Sequence, residues 1–262
     1  MATGRTLEKW TRMYVDGYDL SGFGRSVGPL EVTFDEHDLT AWMDQVKGYL
    51  RGNAQVNPGT FNGVFDNTAV TGIHAALGAA GAKRTVTVAK GIRAAPSQGD
   101  PCFCGQFVHK GYQVTTEGGV FVTAPFSGWA ANAETLLYAG PWGQVLHPMA
   151  AATAANTAAG IDNYAEASTA KGGYLIYHIT ASNAAGTCTI SVDDSADNAV
   201  WLPLAGATSA AIGFAALPAS GVIALSNAAT VRRYLRWQLA LAGGMTTVTF
   251  FSAFVQIGRA HV

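Results

Sequence analysis

Apolar and polar residues alternate along most of this chain, a pattern that predicts β-strands. The alternating runs are rich in β-branched and aromatic residues, and Gly, Pro, Asn or Asp bounds each of them. The runs cover residues 12–20, 28–39, 60–67, 84–91, 105–116, 118–130, 172–182, 186–195, 199–204, 222–227, 232–241 and 246–258. Glycine pairs at 118–119 and 243–244 lie between consecutive runs, so each pair predicts a hairpin turn.

Two segments have helical spacing instead. Residues 39–52 and 66–81 each place apolar side chains three or four positions apart, as one face of a helix requires. In the first segment Gly52 follows the last apolar residue, at the position of a helix C-cap. We therefore expect one or two short helices in a mainly β chain. The apolar stripes consist of Leu39, Trp42, Met43, Val46 and Leu50, and of Val70, Ile73, His74 and Leu77.

A change in composition divides the chain. From Ala150 to Gly173 the residues are mostly Ala, Thr, Asn and Gly, with few large apolar side chains, which is typical of a linker or a surface arm. We predict a β-sandwich or β-barrel domain over 1–148, a linker or arm over 149–171, and a second β-sandwich-like domain over 172–262.

The composition favours a protein that buries its surface against other copies of itself. Hydrophobic residues make up 49% of the 262 residues and charged residues only 13%, about half the usual charged share. A low-charge surface suits repeated burial at interfaces. The net charge of −1 gives no basic field for general nucleic-acid binding.

Targeting and redox signals are also missing from the sequence. The three cysteines have no spacing of a disulfide framework, and no signal peptide or membrane-spanning run is visible. We expect synthesis in a reducing cytoplasm and no membrane partner.

Candidate chemistry is sparse. Asp16 and Asp19 flank Tyr18 in the stretch MYVDGYDLSG, but their spacing fits turn residues better than a coupled carboxylate pair. The cluster Asp35 to Asp38 includes His37 and suggests metal ligands, yet neighbouring strand residues point to opposite faces. It fits a strand end followed by a helix N-cap better.

Other motifs favour structural roles. Cys102 and Cys104 lack the second ligand pair of a zinc site, so buried small hydrophobes are expected there. The stretch 191–197 departs from the EF-hand pattern and predicts a turn held by Asx hydrogen bonds. The glycines of 22–28 have the wrong spacing for a dinucleotide fingerprint. We expect no enzyme activity, no metal and no cofactor.

The run VRRYLRWQL over 231–239 interleaves basic and aromatic residues. Such a pattern can bind single-stranded nucleic acid. A half-buried strand with Leu235, Trp237 and Leu239 in the core explains it better, because the neighbouring strands add no further basic residues.

Several of these stretches occur together in one known family. YVDGYDLSG, then LEVTFDEHDLTAW, VKGYLRG and GTFNGVFDN in that order, resemble tail tube proteins of long-tailed bacteriophages. The C-terminal run with RRYLR resembles β-sandwich segments of phage virion proteins. The residues that match the motifs are Asp16, Gly17, Asp19, Gly22, Thr40, Trp42, Gly52, Gly63, Phe65, Asp66, Arg233, Tyr234 and Arg236.

The resemblance implies a structural role in the virion tail. Subunits would join sheets edge to edge into a ring, hexameric or pseudo-hexameric, and the rings would stack into a tube. DNA would pass through the lumen without specific binding, and other tail proteins would be partners. Residues 92–104 or the N-terminal arm 1–11 would supply the stacking contacts.

Two alternatives stay open. The chain could be another virion β-protein, such as a head decoration or minor tail protein. It could also be a carbohydrate-binding sandwich or a hydrolase built on one, with Trp129, Trp142 and Trp201 as the sugar platform and Asp193 or Asp194 as the acting carboxylate, although a paired-carboxylate arrangement is not visible.

Overall fold

Strands dominate the structure, a computed structural model that describes residues 6–43, 45–79, 81, 83–92, 94–134, 140–157, 159–163, 169–170 and 172–256. This agrees with the mainly β fold predicted from the alternation. The first half contains one short helix, α1 (Ile73–Leu77), and ten strands. These are β1 (Thr11–Val15), β2 (Tyr18–Asp19), β3 (Gly24–Gly28), β4 (Glu31–Asp38), β5 (Tyr49–Asn57), β6 (Thr60–Val64), β7 (Arg84–Lys90), β8 (Pro101–His109), β9 (Gln113–Thr116) and β10 (Val120–Trp129).

Among the described residues, the second half contains strands and one 3-10 turn, Phe214–Ala216; another 3-10 turn, Glu8–Trp10, precedes β1. The strands are β11 (Trp142–Ala152), β12 (Ile161–Asp162), β13 (Thr169–Ala170), β14 (Gly173–Ser182), β15 (Thr187–Ser195), β16 (Leu202–Thr208), β17 (Ile212–Gly213), β18 (Ala219–Ala224), β19 (Thr230–Val231), β20 (Tyr234–Ala242) and β21 (Val248–Gln256).

The strands stack in four layers. An outer sheet with the order β9-β10-β6-β3 covers the sheet β2-β1-β7-β8. Strand β8 pairs with β10 of the outer sheet and also with β11, which begins the third layer, β11-β21-β14-β18. These three layers are therefore parts of one continuous 12-stranded sheet that folds over on itself. The fourth layer has the order β12-β20-β15-β16. The chain therefore forms two sandwiches whose inner sheets are joined at β8 and β11.

Each gap between layers is filled by its own apolar cluster. Phe61, Phe103 and Phe107 lie between the first two layers, in a cluster that α1 closes with Ile73 and Leu77. A second cluster lies between the last two layers and includes Phe250 and Phe254 of β21. The middle cluster joins the two sandwiches. It contains Tyr14, Cys102, Cys104, Tyr174, Phe251 and Val255.

Two of the three cysteines, Cys102 and Cys104, are buried in the middle cluster, and Cys188 is buried in the cluster between the last two layers. Cys102 and Cys104 lie on one face of β8 and are buried there, whereas Phe103 between them faces the first cluster. The Tyr174 hydroxyl donates a hydrogen bond to the Cys104 carbonyl at 2.7 Å. All three cysteines are free and buried, as predicted for small core residues.

One predicted helix is wrong and the other is shorter than predicted. Residues 39–43 and 45–52 form no helix: β4 and β5 pair with each other, Asp38 opposite Tyr49, and 39–43 and 45–48 lie in the turn between them. The spacing of the apolar side chains was helical, but no neighbouring surface is present to bury such a face. The second helix is real but short, because only Ile73–Leu77 is helical.

The glycine pairs differ in what they connect. Gly118 and Gly119 join β9 to β10 in a hairpin, as predicted. Gly243 and Gly244 join β20 to β21, which belong to different sheets, so this turn carries the chain from one layer to the next. Both glycines have positive φ, 68° and 92°, and such a turn signal does not encode which sheet follows.

The predicted linker 149–171 begins inside β11, because 149–152 continue that strand beside β21. Residues 161–162 form β12 on the edge of the fourth layer. Residues 158, 164–168 and 171 of this segment lie outside the described residues, and the three-part division stays a prediction. The end of the last predicted strand, 257–258, lies outside them too.

His178 lies at the junction of the two sandwiches and is fully buried. Its Nδ1 accepts a hydrogen bond from the Gly17 N–H at 3.2 Å, so Nε2 carries the proton and donates to the Thr87 hydroxyl at 2.9 Å. The ring also packs near Tyr14 and Phe251. The bonds therefore link β14 to the β1–β2 turn and to β7.

The Asp16–Gly17 turn depends on its glycine. Val15 pairs with Tyr18, and the two turn residues have φ of 49° and 88°, the geometry of a type I′ hairpin. A Cβ at Gly17 would lie 2.5 Å from the backbone nitrogen of Ala219 in β18. The turn thus fits directly against the third layer.

We predict that Gly17→Ala lowers the free energy of unfolding by about 2–4 kcal/mol, because backbone strain adds to a backbone clash. Urea denaturation measures the change. Gly118→Ala is the matched control, since its φ is +67° but nothing lies within 4 Å of the added Cβ. It should lose only about 1 kcal/mol; equal losses would contradict the packing of Gly17.

Acid should weaken the junction through His178. Burial lowers the pKa of His178 from 6.5 to about 3, so the folded protein holds the neutral ring. The contribution of neutral His178 to the free energy of unfolding is complete above pH 6.5. It is lost as the pH falls toward 3, by about 1.4 kcal/mol per pH unit. Unfolding free energies between pH 7 and pH 4 test this against His178→Gln, which keeps an acceptor and a donor. Identical pH slopes for both proteins would refute it.

Candidate assembly surface

One β-ribbon extends away from the four layers. Strands β4 and β5 form a separate two-stranded sheet, which we call the arm (described residues 31–43 and 45–57), and residues 39–43 and 45–48 form its tip. Only the base is anchored, mainly by Val56, which is buried in the first cluster. Eight residues of β4 reach about 26 Å at the usual rise per strand residue. A ribbon of two strands alone is only marginally stable in water, so this element fits a protein that binds a partner.

The tip exposes large apolar side chains. The exposed fractions are 104% for Trp42, 92% for Met43 and 81% for Val46. Leu39 and Leu50 are also more than half exposed. Several large apolar side chains exposed within one short segment are unusual on the surface of a monomeric protein.

Polar contacts hold the shape of the tip. The Asp38 carboxylate accepts hydrogen bonds from the hydroxyl and the N–H of Thr40, and both lower the pKa of Asp38. The Gly48 N–H donates to the Thr40 hydroxyl at 3.2 Å, and the Leu39 N–H donates to the Gly48 carbonyl at 2.9 Å. The apolar side chains are therefore presented by a closed, hydrogen-bonded loop.

The arm is acidic in sequence, with five of the 17 acidic residues of the chain and two basic residues between 31 and 57. Arg51 packs its guanidinium over the Phe34 ring at 3.1 Å from the centroid. Gln55 donates to Asp35, and Asn57 donates to Glu31. Among the described residues, no arm carboxylate forms an ion pair within 4.0 Å.

The predicted motif residues lie in separate places. Asp16 accepts hydrogen bonds from the Thr85 N–H and from Arg84, whereas Asp19 accepts one from the Ser21 N–H. The two aspartates therefore act as turn residues and do not form a shared carboxylate site. Gly22 lies in the following turn with open space around it.

Three motif residues lie on the arm. Thr40 and Trp42 belong to the tip, as described above. Gly52, expected as a helix C-cap, lies inside β5 beside an irregularity in the β4–β5 register. A Cβ there would lie 3.0 Å from the Asp35 carbonyl, so the glycine allows the two strands to approach closely.

The motif residues of 63–66 support the first sandwich. Gly63 lies in β6, where a Cβ would lie 2.9 Å from the Phe23 carbonyl. Phe65 packs near His74 of α1, with ring centroids 5.6 Å apart. The Asp66 carboxylate accepts hydrogen bonds from Thr68, whose hydroxyl and N–H lower the pKa of Asp66.

The arginine cluster is occupied within the chain. Arg236 forms an ion pair with Asp193 at 3.0 Å and packs over the Trp201 ring at 4.5 Å. Arg233 pairs with Asp162 and lies over the Tyr234 ring. Arg232 likewise pairs with Asp194.

The face of β20 opposite Arg236 is apolar. Leu235 and Leu239 are buried, and Trp237 packs against the same cluster, as predicted for a half-buried strand. Arg236 of β20, and Arg232 and Arg233 just before it, form ion pairs with aspartates of β12 and β15. They therefore do not form a nucleic-acid-binding face.

The other candidate sites do not converge. No group of three or more metal-ligating side chains occurs in the part of the chain that the structure describes, the Asp35 to Asp38 cluster included. The turn predicted over 191–197 is misplaced, because 191–195 belong to β15 and the turn follows at 196–200. The Asp197 carboxylate accepts hydrogen bonds there from the N–H groups of Ala199 and Val200, so the expected Asx bonds are present at its second half. These bonds lower the pKa of Asp197 to about 2.

The tryptophans of the carbohydrate alternative contact protein. Trp129 stacks on Phe107 at 4.9 Å, Trp142 meets Phe103 edge-on at 5.2 Å, and Trp201 lies under Arg236. Trp129 and Trp142 pack against the first apolar cluster. The three rings therefore do not form a shared exposed platform.

The predicted stacking segments are exposed at residues 6–9, 92, 94–95, 97–98 and 101 but not throughout. Residues 101–104 of the segment 92–104 belong to β8, and Cys102 to Cys104 are fully buried. Residues 1–5 of the N-terminal segment and Arg93 lie outside the described residues. The arm was not predicted from the sequence, although the alternation of 31–38 and the Lys-Gly pair at 47–48 are signals for a strand followed by a turn.

Comparisons with known proteins give two findings. The Bbp16 family model matches residues 144–255, which run from β11 to β21 and cover less than half of the chain. Among solved structures, the chain resembles the Dit (gp 19.1) protein of SPP1, described as a paradigm of the hub adsorption apparatus in phages that infect Gram-positive bacteria.

The structural likeness is weak. Identity is 12% and the TM-score is 0.30, over 94% of this chain and 98% of the other. A TM-score of this size does not establish a shared fold. No curated protein matches the chain. Among the described residues, no helix has the length and apolar character needed to cross a bilayer.

We predict that Trp42→Ser changes the free energy of unfolding by no more than about 0.5 kcal/mol, because the indole contacts solvent in the single chain. Thermal and urea denaturation test this at low protein concentration. Trp237→Ala is the contrasting variant, since its ring packs against His147 and Phe250. It should lose about 2 kcal/mol or more; a comparable loss for Trp42→Ser would show that the tip supports the fold.

Proposed function

We propose that this chain is a structural protein of a phage virion. Contacts between copies of the chain would incorporate it into the particle. The arm carries the proposal, because its exposed apolar tip and marginal two-stranded ribbon become stable only against a partner surface. Low surface charge and the order of motifs shared with tail tube proteins support the same reading.

The finer proposal is the tail tube, with stacked rings through which DNA passes. Unpaired strand edges support it, since β3, β9, β16 and β18 each have a partner on one side among the described strands. Such edges can pair with the next copy in a ring. The net charge of −1 suits a lumen to which DNA does not adhere.

A second candidate is another virion β-protein, either a head decoration protein or a minor tail protein. The Bbp16 match supports this second candidate, because it covers the second sandwich rather than the arm and its description does not name a tail tube. In this case the arm would still be the element that binds neighbouring subunits.

We predict that the purified protein self-associates as its concentration rises, and that Trp42→Ser together with Met43→Ser abolishes this. Analytical ultracentrifugation and negative-stain microscopy measure it; rings or tubes support the tail tube. Val200→Ser is the control, because Val200 is 65% exposed but lies away from the arm. A wild-type protein that stays monomeric at high concentration, with or without other virion proteins, overturns self-assembly.

Immunogold labelling of virions separates the candidates. Labelling along the tail supports the tube, labelling of the head supports a decoration protein, and labelling of one tail end supports a minor tail protein. Virions that carry no label overturn the virion role itself.

A further inference from the structure

A pocket on the first sandwich has the features that would receive the arm tip. It lies between β1 and β3, has a volume of about 240 Å³, and is comparable in size to one large aromatic side chain. Met13 and Phe61 form its floor with 3% and 1% exposure, and Val27 adds a half-buried apolar wall. The floor is therefore apolar and preformed.

The rim of this pocket is basic. Lys9, Arg12 and Arg25 line it, together with a single carboxylate, Glu8. Among the described residues, none of these three cations forms an ion pair, whereas five other cations, at 83, 84, 232, 233 and 236, do. Arg25 instead lies over the Phe121 ring at 4.6 Å from the centroid. Arg12 donates hydrogen bonds to the carbonyls of Lys9 and Thr11. With three cations and one carboxylate, the described rim therefore carries net positive charge.

The arm tip has the complementary character. Its apolar residues Trp42 and Met43 follow the carboxylates of Glu36 and Asp38 by a few residues. Neither carboxylate is neutralised by an ion pair in the described chain. Lys47 also lies at the tip and Arg51 lies opposite Glu36, but acidic residues of the arm outnumber basic ones by five to two. An apolar tip on an acidic arm therefore complements an apolar floor with a basic rim.

We propose that the arm tip of one copy inserts into the β1–β3 pocket of a second copy of this chain. This rests on the proposed assembly between copies and names its receptor. In the described chain Trp42 contacts solvent, so the arm does not occupy its own pocket. The contact joins two different surfaces, and a contact of that kind builds closed rings or open stacks rather than isolated pairs.

A neighbouring depression fits less well. It lies on the outer face of the first sheet, around Asn62, Thr123 and Phe121. Thr123 donates to Asn62, and Asn62 donates to Ser26, both at 3.1 Å, so its polar groups already bind one another. It has no deep apolar floor like that of Met13 and Phe61. The β1–β3 pocket is therefore the receptor we assign.

A mixing experiment tests the proposal. Trp42→Ser removes the tip but keeps the pocket, and Arg25→Glu reverses the rim charge but keeps the tip. Each variant alone should self-associate on the order of tenfold to hundredfold more weakly than the wild type. Mixed in equal amounts they should form pairs of one copy each, seen by sedimentation velocity, because one intact tip and one intact pocket remain.

Controls and contrary outcomes separate this proposal from the assembly function. Lys110→Glu makes the same charge change at an exposed residue outside the pocket and should assemble like the wild type. If Trp42→Ser loses assembly but Arg25→Glu does not, the arm docks elsewhere and only the pocket assignment fails. If the mixture sediments as the two separate variants do, with no mixed pairs, the tip of one copy does not bind the pocket of another and the proposal is overturned.

A charge exchange gives an independent readout. Glu36→Lys should weaken association, and combining it with Arg25→Glu in one chain should restore at least part of the affinity. Asp38 is left unchanged, since its bonds to Thr40 shape the tip. If the double variant loses as much affinity as the two single variants together, Glu36 of the tip and Arg25 of the rim do not contact each other.

Discussion

Burial on both faces of the inner strands is the constraint on which this structure depends. Strand β21 places Phe250 and Phe254 in one apolar cluster and Phe251 and Val255 in the next. A strand with two buried faces cannot contact water on either side, so it needs a layer above and a layer below. That requirement joins the two sandwiches through the middle cluster and makes the four layers interdependent.

The same constraint explains why polar groups at the junction are few and paired. His178 uses both ring nitrogens, and Tyr174 uses its hydroxyl, because a buried polar group without a partner would cost free energy. The Asp16–Gly17 turn is tight for the same reason, since it must approach β18 without a side chain.

Sequence reasoning found most strands, because alternation and turn residues are local signals. It did not find the layer arrangement, since nothing local shows that β20 and β21 lie in different sheets. It also read Leu39, Trp42 and Val46 as a helix face, because spacing describes where side chains point and not whether a surface exists to cover them. The pocket combines residues of β1, β3 and β6, and only the fold brings them together.

The arm differs from the body in both charge and packing, and this difference gives it a role. Arg236 of the body pairs with Asp193, whereas Arg12 and Arg25 of the pocket rim and Glu36 and Asp38 of the arm form no ion pair among the described residues. In the proposed contact, apolar packing would supply most of the affinity, and these charges would select the orientation of the two copies.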